Sequence, residues 1–309
     1  MIETIQFNNV RWLDITNPTE DDYRVLLDDY RFHPLDIEDC RGTTQRPKID
    51  EYDDYYFLIL HFPYFDQSNK NIRIREVKIF WGRDYIITVG KAHWVVKKLF
   101  DEMREDLAEG DVETQRMMAT SDQMLYHILN RLMLETNTLV QRVGAEVDLI
   151  NYEIFNKRPR TIIEQISVTR RNIILLNTTF RPQLRVLHMF ESGGIKGFVD
   201  AEQIDMEDYW GNILDQYQKM FDLIEDFGEL IEGLSQTFDS LLTNRTNEIM
   251  RVLTIFNTIM LPLTVLTGIF GMNVDFPFPM GHLTFFVIMA IMVLITVGLL
   301  LFFNRRTGR

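Results

Sequence analysis

Residues 283–303 read LTFFVIMAIMVLITVGLLLFF, an unbroken run of 21 residues without a charge. As a helix rising ~1.5 Å per residue it spans the ~30 Å hydrocarbon core of a bilayer. Working back toward the N-terminus, residues 252–270 are also uncharged but less greasy. They carry Thr254, Asn257, Thr258, Pro262, Thr264 and Thr267. A spanning helix of that polarity faces something other than lipid, and neighbouring helices can offset the hydrogen bond lost at Pro262. The loop between, residues 271–282, has no Lys or Arg and one acid, Asp275. Arg245 and Arg251 flank one side, and Arg305, Arg306 and Arg309 the other. The positive-inside rule therefore predicts both flanks in the cytoplasm and the loop outside.

Upstream the chain turns polar, and the composition, 46% hydrophobic and 25% charged, averages two unlike parts. Residues 1–248 read as a cytoplasmic domain and 249–309 as a transmembrane domain. Within the first, residues 1–115 read as α/β. Asn17-Pro18-Thr19-Glu20 looks like a helix start. Residues 55–62, 72–80 and 85–89 are rich in β-branched and aromatic residues and predict strands, with 66–71 as a hairpin turn. Residues 93–109 predict a helix, stopped by Gly110. From 121 to 191 a helical period takes over, broken at Arg158-Pro159, which predicts a helical hairpin. Pro182 is expected to kink the second helix or end its regular part early.

A third helix is expected from near Ile204. Leu214, Tyr217, Phe221, Ile224, Phe227, Ile231, Leu234, Phe238 and Leu241 repeat every three or four residues, a coiled-coil-like seam. No proline interrupts it before Pro262, so this stalk (204–248) is expected to continue into the first span as one helix. The fold class is then an α+β cytoplasmic domain, long helices and a two-helix transmembrane hairpin.

The net charge of −13 argues against a nucleic-acid partner, which needs a basic surface. A single cysteine, Cys40, excludes an internal disulfide and two-cysteine zinc motifs. Met1-Ile2-Glu3-Thr4 has neither a basic nor an apolar run, so no signal peptide is expected. No Walker A loop, Gly-x-Ser-x-Gly or His-Glu-x-x-His occurs, and no enzyme activity is expected.

Phe270-Gly271-Met272-Asn273 closes the first span. With a short loop and a final span behind it, this resembles the Gly-Met-Asn signature of the CorA family of magnesium channels. The segments Thr246-Asn247-Glu248-Ile249-Met250-Arg251-Val252-Leu253-Thr254 and Met260-Leu261-Pro262-Leu263-Thr264 resemble the family's first span. His33-Pro34-Leu35-Asp36-Ile37-Glu38-Asp39 and Arg46-Pro47-Lys48-Ile49-Asp50-Glu51-Tyr52 extend the likeness to the N-terminal part. The resemblance implies a homopentamer in the plasma (inner) membrane, both termini cytoplasmic, with the first span lining a pore for divalent cations. Mg²⁺ is then both the cargo and a possible regulatory ligand, and membrane lipid and the chain itself are the other partners.

Mg²⁺ is small, hard and slow to lose water, so a capture site suits neutral oxygens that accept hydrogen bonds from its hydration shell. A ring of Asn273 supplies them, and Gly271 and Met272 complete the expected filter, with Gly271 letting the backbone turn. Steps of three and four from Asn247 reach Met250, Leu253, Asn257, Leu261, Thr264 and Gly268, the expected pore lining. Met250 and Leu253 would be its apolar constriction, able to gate by dewetting. Glu38 and Asp39 stand where the family places acids that bind regulatory Mg²⁺. The stalk position opposite carries Asn212 where an Asp is common, with Asp208 and Asp215 a turn away on either side. Two alternatives stay open. One is the zinc-transporting branch of the same superfamily, or Co²⁺ or Ni²⁺ transport. The other is a membrane-anchored sensor without transport, which would need no polar stripe in the first span.

Overall fold

The computed structural model describes residues 2–42, 45–68, 71–91, 93–199, 206–272 and 281–307. The chain divides into two compact units, Met1–Ser235 and Gln236–Arg309.

The first unit is built on a six-stranded sheet in the order β1-β2-β6-β5-β4-β3. Strands β1 (Ile2–Phe7) and β2 (Val10–Thr16) form a tight hairpin. Asn8 takes φ 50 in its turn, a left-handed conformation that Asn tolerates better than most residues. β2 and β6 (Tyr85–Gly90) run parallel, and every other neighbouring pair is antiparallel. β4 (Tyr55–Asp66) and β5 (Asn71–Gly82) make a long hairpin, and β3 (Lys48–Glu51) is a short edge strand on β4. All three predicted strands are present, and β4 and β5 run longer than their apolar runs.

Six consecutive residues of β4, Tyr55 to Leu60, are buried because the sheet is covered on both faces. Tyr55, Phe57 and Ile59 pack with Phe80, Ile87, Leu26, Phe32 and Ile37 beneath α1 (Glu20–Asp28) and α2 (Pro34–Arg41). Phe32 stacks on Phe80 with ring centroids 4.0 Å apart. Helix α1 begins with a reciprocal cap: the Asp22 carboxylate accepts the Thr19 N–H at 2.8 Å, and the Thr19 hydroxyl accepts the Asp22 N–H at 3.3 Å. α3 (Trp94–Glu109) ends at Gly110, whose φ of 78 is the left-handed cap expected there. After the short α4 (Val112–Met117), α5 (Ser121–Glu153) and α6 (Pro159–Glu191) lie on the second face of the sheet.

Pro182 does not end α6, which continues nine residues beyond it to Glu191. Tertiary bonds on both sides hold that turn. Arg181 pairs with Glu225 at 2.9 Å, and fully buried Gln183 binds the backbone of β4.

Trp81 of β5 sits in a ring cluster with Tyr56, Phe190, Phe198 and Trp210. Its indole N–H donates to the buried Asp122 carboxylate at 3.2 Å, which also accepts the N–H groups of Phe198 and Val199 at 3.0 Å. Gly197 fits against this carboxylate only for want of a side chain: a Cβ would stand 2.5 Å from Asp122 Oδ2, and its φ is 65.

Helix α7 runs from Glu207 to Phe270, 64 residues, and its C-terminal part belongs to the second unit. Ile204, the expected start of this helix, lies outside the described residues. α8 (His282–Thr307) completes the chain.

Candidate functional site

Among the described residues, two helices are long and apolar enough to cross a membrane, α7 and α8. In α8 apolar side chains face all directions. In α7 they do not. At ~100° per residue, Asn247, Met250, Leu253, Asn257, Leu261, Thr264 and Gly268 fall within an arc of roughly 120°. All seven are exposed in the single chain, with Met250 at 55%, Leu253 at 50% and Leu261 at 66%.

The hydroxyls of this helix share one arrangement. Thr254 donates to the Met250 carbonyl at 2.7 Å, Thr258 to Thr254 at 2.8 Å, Thr264 to Met260 at 2.8 Å and Thr267 to Thr264 at 3.0 Å. Each hydroxyl hydrogen is thus turned into the helix, and what remains outward is a pair of acceptor lone pairs. Of these four only Thr264 is among the seven residues of the arc, and at ~100° per residue Thr258 and Thr267 lie on opposite sides of the helix.

At the end of α7, Gly271 donates its N–H to the Thr267 carbonyl at 2.9 Å, and Met272 to Ile269 at 3.2 Å. The demand for glycine at 271 is steric, and left-handed backbone plays no part. A Cβ there would stand 2.9 Å from the Thr267 carbonyl oxygen, while Gly271 is absent from the residues with positive φ. Met272 is 57% exposed. Asn273, with the loop through residue 280, lies outside the described residues.

The acidic candidates of the first unit are placed separately. Glu38 is exposed on α2, whereas neighbouring Asp39 is half-buried and accepts the Lys48 ammonium at 2.7 Å. Lys48 also binds Asp50 and lies 5.3 Å from the Phe57 ring centroid. Burial alone would lower the Lys48 pKa, but the hydrogen bonds from Asp39 and Asp50 outweigh it and push it up to about 12. Asp36, between the two motifs, is buried and accepts Tyr55 at 2.8 Å and Tyr52 at 3.1 Å. Burial raises its pKa against those two bonds. Asp36 therefore belongs to the core.

On α7, Asp208 and Asp215 are exposed, as is Asn212. The Asn212 amide is already engaged. It donates to the Tyr126 hydroxyl at 3.2 Å and accepts from Gln216 at 2.7 Å, and Gln216 also donates to Asn130 at 3.1 Å. No group of three or more His, Cys, Asp or Glu side chains that could hold a metal occurs among the described residues. Sequence reasoning missed Lys48 as the partner of Asp39. The two lie on adjoining elements, and only the fold brings them together.

Three comparisons set this chain beside known proteins. The family model described as "CorA-like Mg2+ transporter protein" matches residues 7–306. The cobalt/magnesium transport protein CorA of Thermotoga maritima is 25% identical over 299 residues, covering 96% of this chain and 82% of its own length. Among solved structures, the CorA magnesium transporter of Methanocaldococcus jannaschii superposes with a TM-score of 0.80 at 19% identity, over 97% of this chain and 92% of that one. The ZntB cytoplasmic domain of Vibrio parahaemolyticus superposes with a TM-score of 0.60 at 12% identity, over 77% of this chain and 90% of that domain.

Proposed function

Because this chain belongs to the family of CorA-like Mg²⁺ transporter proteins, we propose that it is a passive channel for divalent cations with Mg²⁺ as its main cargo. The observation that carries this reading is the arc on α7 that sets Asn247, Asn257 and Thr264 beside Met250 and Leu253, with the Thr264 hydrogen turned into the helix and its lone pairs outward. Mg²⁺ keeps its water, and its coordinated waters present hydrogens outward. A wall of acceptors passes such an ion without trapping it, as fixed carboxylates would.

In this reading five copies surround the pore. Gly271, Met272 and Asn273 form the outer filter, with Asn273 oxygens holding the hydrated ion. Met250 and Leu253 form the apolar constriction. Both termini and the first unit are cytoplasmic and the loop 271–282 faces outward, an orientation that the arginine distribution supports, and the protein sits in the inner membrane. The membrane potential drives flux: ~2.3 kcal/mol per charge per 100 mV doubles for a divalent ion. Cytoplasmic Mg²⁺ bridging Glu38 or Asp39 of one copy to Asp208, Asn212 or Asp215 of the next would favour closure.

The fold likeness to a ZntB cytoplasmic domain supports a second reading, transport of Zn²⁺, or of Co²⁺ or Ni²⁺, through the same architecture. Flux into liposomes at fixed potential, compared for Mg²⁺, Co²⁺, Ni²⁺ and Zn²⁺, tests both. Mg²⁺ flux without ATP is expected. Flux of Zn²⁺ with exclusion of Mg²⁺ selects the second reading, and flux only with ATP overturns both.

A further inference from the structure

Asn257 carries the one side-chain amide in the uncharged stretch of α7, residues 252–270. The four threonines of that stretch each give their hydroxyl hydrogen to a carbonyl of the preceding turn. The Asn257 side chain is exposed and makes no hydrogen bond to any described residue. An amide offers two donors and two acceptor lone pairs, and hydrocarbon has a partner for none of them. Arg251, the last charge before the span, lies six residues or ~9 Å away along the axis, so the amide is inside the hydrocarbon layer.

The rest of the helix shows which way that amide turns. At ~100° per residue, Val252, Ile255, Ile259, Leu263 and Leu266 fall within about 60° of the side directly opposite Asn257. No residue of 252–270 on that side is polar, so that side suits lipid or an apolar helix. Asn257 points the other way, at the centre of the arc described above. On its own side it is bracketed by Leu253 and Leu261, each one turn or ~6 Å away along the axis.

We infer that Asn257, repeated around the pore, is an internal resting site for a hydrated divalent cation, held between collars of Leu253 and Leu261. The inference rests on the channel reading above and adds to it a site that sets ion preference. From Leu253 to Leu261 is ~12 Å, and a pore lined there by apolar groups alone would exclude water. A ring of amides midway divides that barrier in two. Its oxygens accept hydrogen bonds from the ion's own water and, being neutral, let the ion go again. Contact through water favours Mg²⁺, which keeps its shell, over Zn²⁺, which gains more from direct nitrogen or sulfur ligands.

The test is Mg²⁺ flux into liposomes holding the full-length chain, titrated against outside Mg²⁺ at fixed potential. Asn257→Leu should lower the maximal flux several-fold and leave the half-saturating concentration unchanged, because the outer filter is intact. Asn257→Gln keeps an amide and should retain most of the flux. Asn257→Asp should bind the ion too firmly, lowering both the maximal flux and the half-saturating concentration. Under conducting conditions Asn257→Cys should react with a water-soluble thiosulfonate, while the native Cys40, which is buried, does not. Wild-type flux from Asn257→Leu, or an Asn257→Cys chain that stays unmodified, overturns the inference. So does an Asn257→Leu oligomer that falls apart in detergent, which would assign the amide to hydrogen bonds between neighbouring copies. A wild-type chain that carries no divalent cation brings down the channel reading itself, whereas a conducting wild type matched by its variants removes only the site.

Discussion

The side chain of Gln183 stands in for a missing β-strand beside His61. Its Oε1 accepts the His61 N–H at 2.5 Å and its Nε2 donates to the His61 carbonyl at 3.2 Å, across 122 residues of sequence. Strand β3 pairs with β4 only as far as Ile59, so the backbone of His61 would otherwise be left on an open edge inside the protein. The amide closes that edge as the next peptide would.

Gln183→Leu should therefore destabilise the first unit by ~2–4 kcal/mol, because two buried backbone groups each lose a partner. A drop of several degrees in the thermal midpoint of the detergent-solubilised protein is expected, with Gln183→Glu intermediate because it keeps the acceptor. An unchanged midpoint would mean water satisfies His61 equally well.

The stripe on α7 makes a prediction about isosteres. Thr264→Ser keeps an outward acceptor and should retain most of the flux. Thr264→Val has nearly the same shape but no lone pairs and should lower Mg²⁺ flux several-fold. Asn273→Ala should abolish Mg²⁺ entry with the oligomer intact, since a methyl cannot hold a hydration shell. Equal flux from the Ser and Val variants would sink the acceptor-wall account.

Lys48 bears on regulation. Its ammonium occupies the Asp39 carboxylate and remains charged throughout the physiological range, its pKa being about 12. A regulatory cation at Asp39 must compete with it. Lys48→Gln should move inhibition by internal Mg²⁺ to lower concentration. Asn212→Asp should do the same by adding a carboxylate, which keeps the acceptor for Gln216 and loses the N–H that Asn212 donates to Tyr126. Flux titrations against internal Mg²⁺ decide this, and unshifted curves in both variants would remove these residues from any sensor.

His93 predicts an acid-side loss of stability. It is 5% exposed, neither ring nitrogen has a hydrogen-bond partner among the described residues, and burial, with Arg75 adding to it, lowers its pKa to about 4. Below the unfolded value near 6.5 the unfolded chain takes up a proton that the folded one refuses. The contribution of His93 is thus present above that value and lost as pH falls from about 6.5 to about 4, by up to ~3 kcal/mol. His93→Phe should flatten the midpoint-versus-pH curve in that window. A parallel curve for the variant would refute the assignment.

Much of the architecture was legible because its strands are buried on both faces. The runs at 55–62, 72–80 and 85–89 needed no partner to be recognised. β3 was not, since Lys48-Ile49-Asp50-Glu51 is an edge strand whose charged side chains have no periodic apolar signal. β1 and β2 left only the Asn8-Asn9 turn as a clue. The membrane helices and the stripe on α7 follow from composition and helical period. The Asp39–Lys48 pair joins separate elements, and the Asn212–Tyr126 and Gln183–His61 bonds join residues 86 and 122 apart, so no local pattern encodes them. Pro182 is a local break signal that does not end α6, with bonds to α7 and β4 on either side of it.

The cluster around Trp81 gives the molecule a built-in optical reporter. Its indole lies 6.0 Å from Trp210 and 5.4 Å from Phe198, with the N–H held by Asp122. Rings this close couple their excited states, so their shared near-ultraviolet dichroism depends on β5, α6, the 198–199 segment and the start of α7 keeping register. Rearrangement at the head of α7 during gating would change that band, so opening could be followed by light alone, in unlabelled protein, as ions are added or withdrawn.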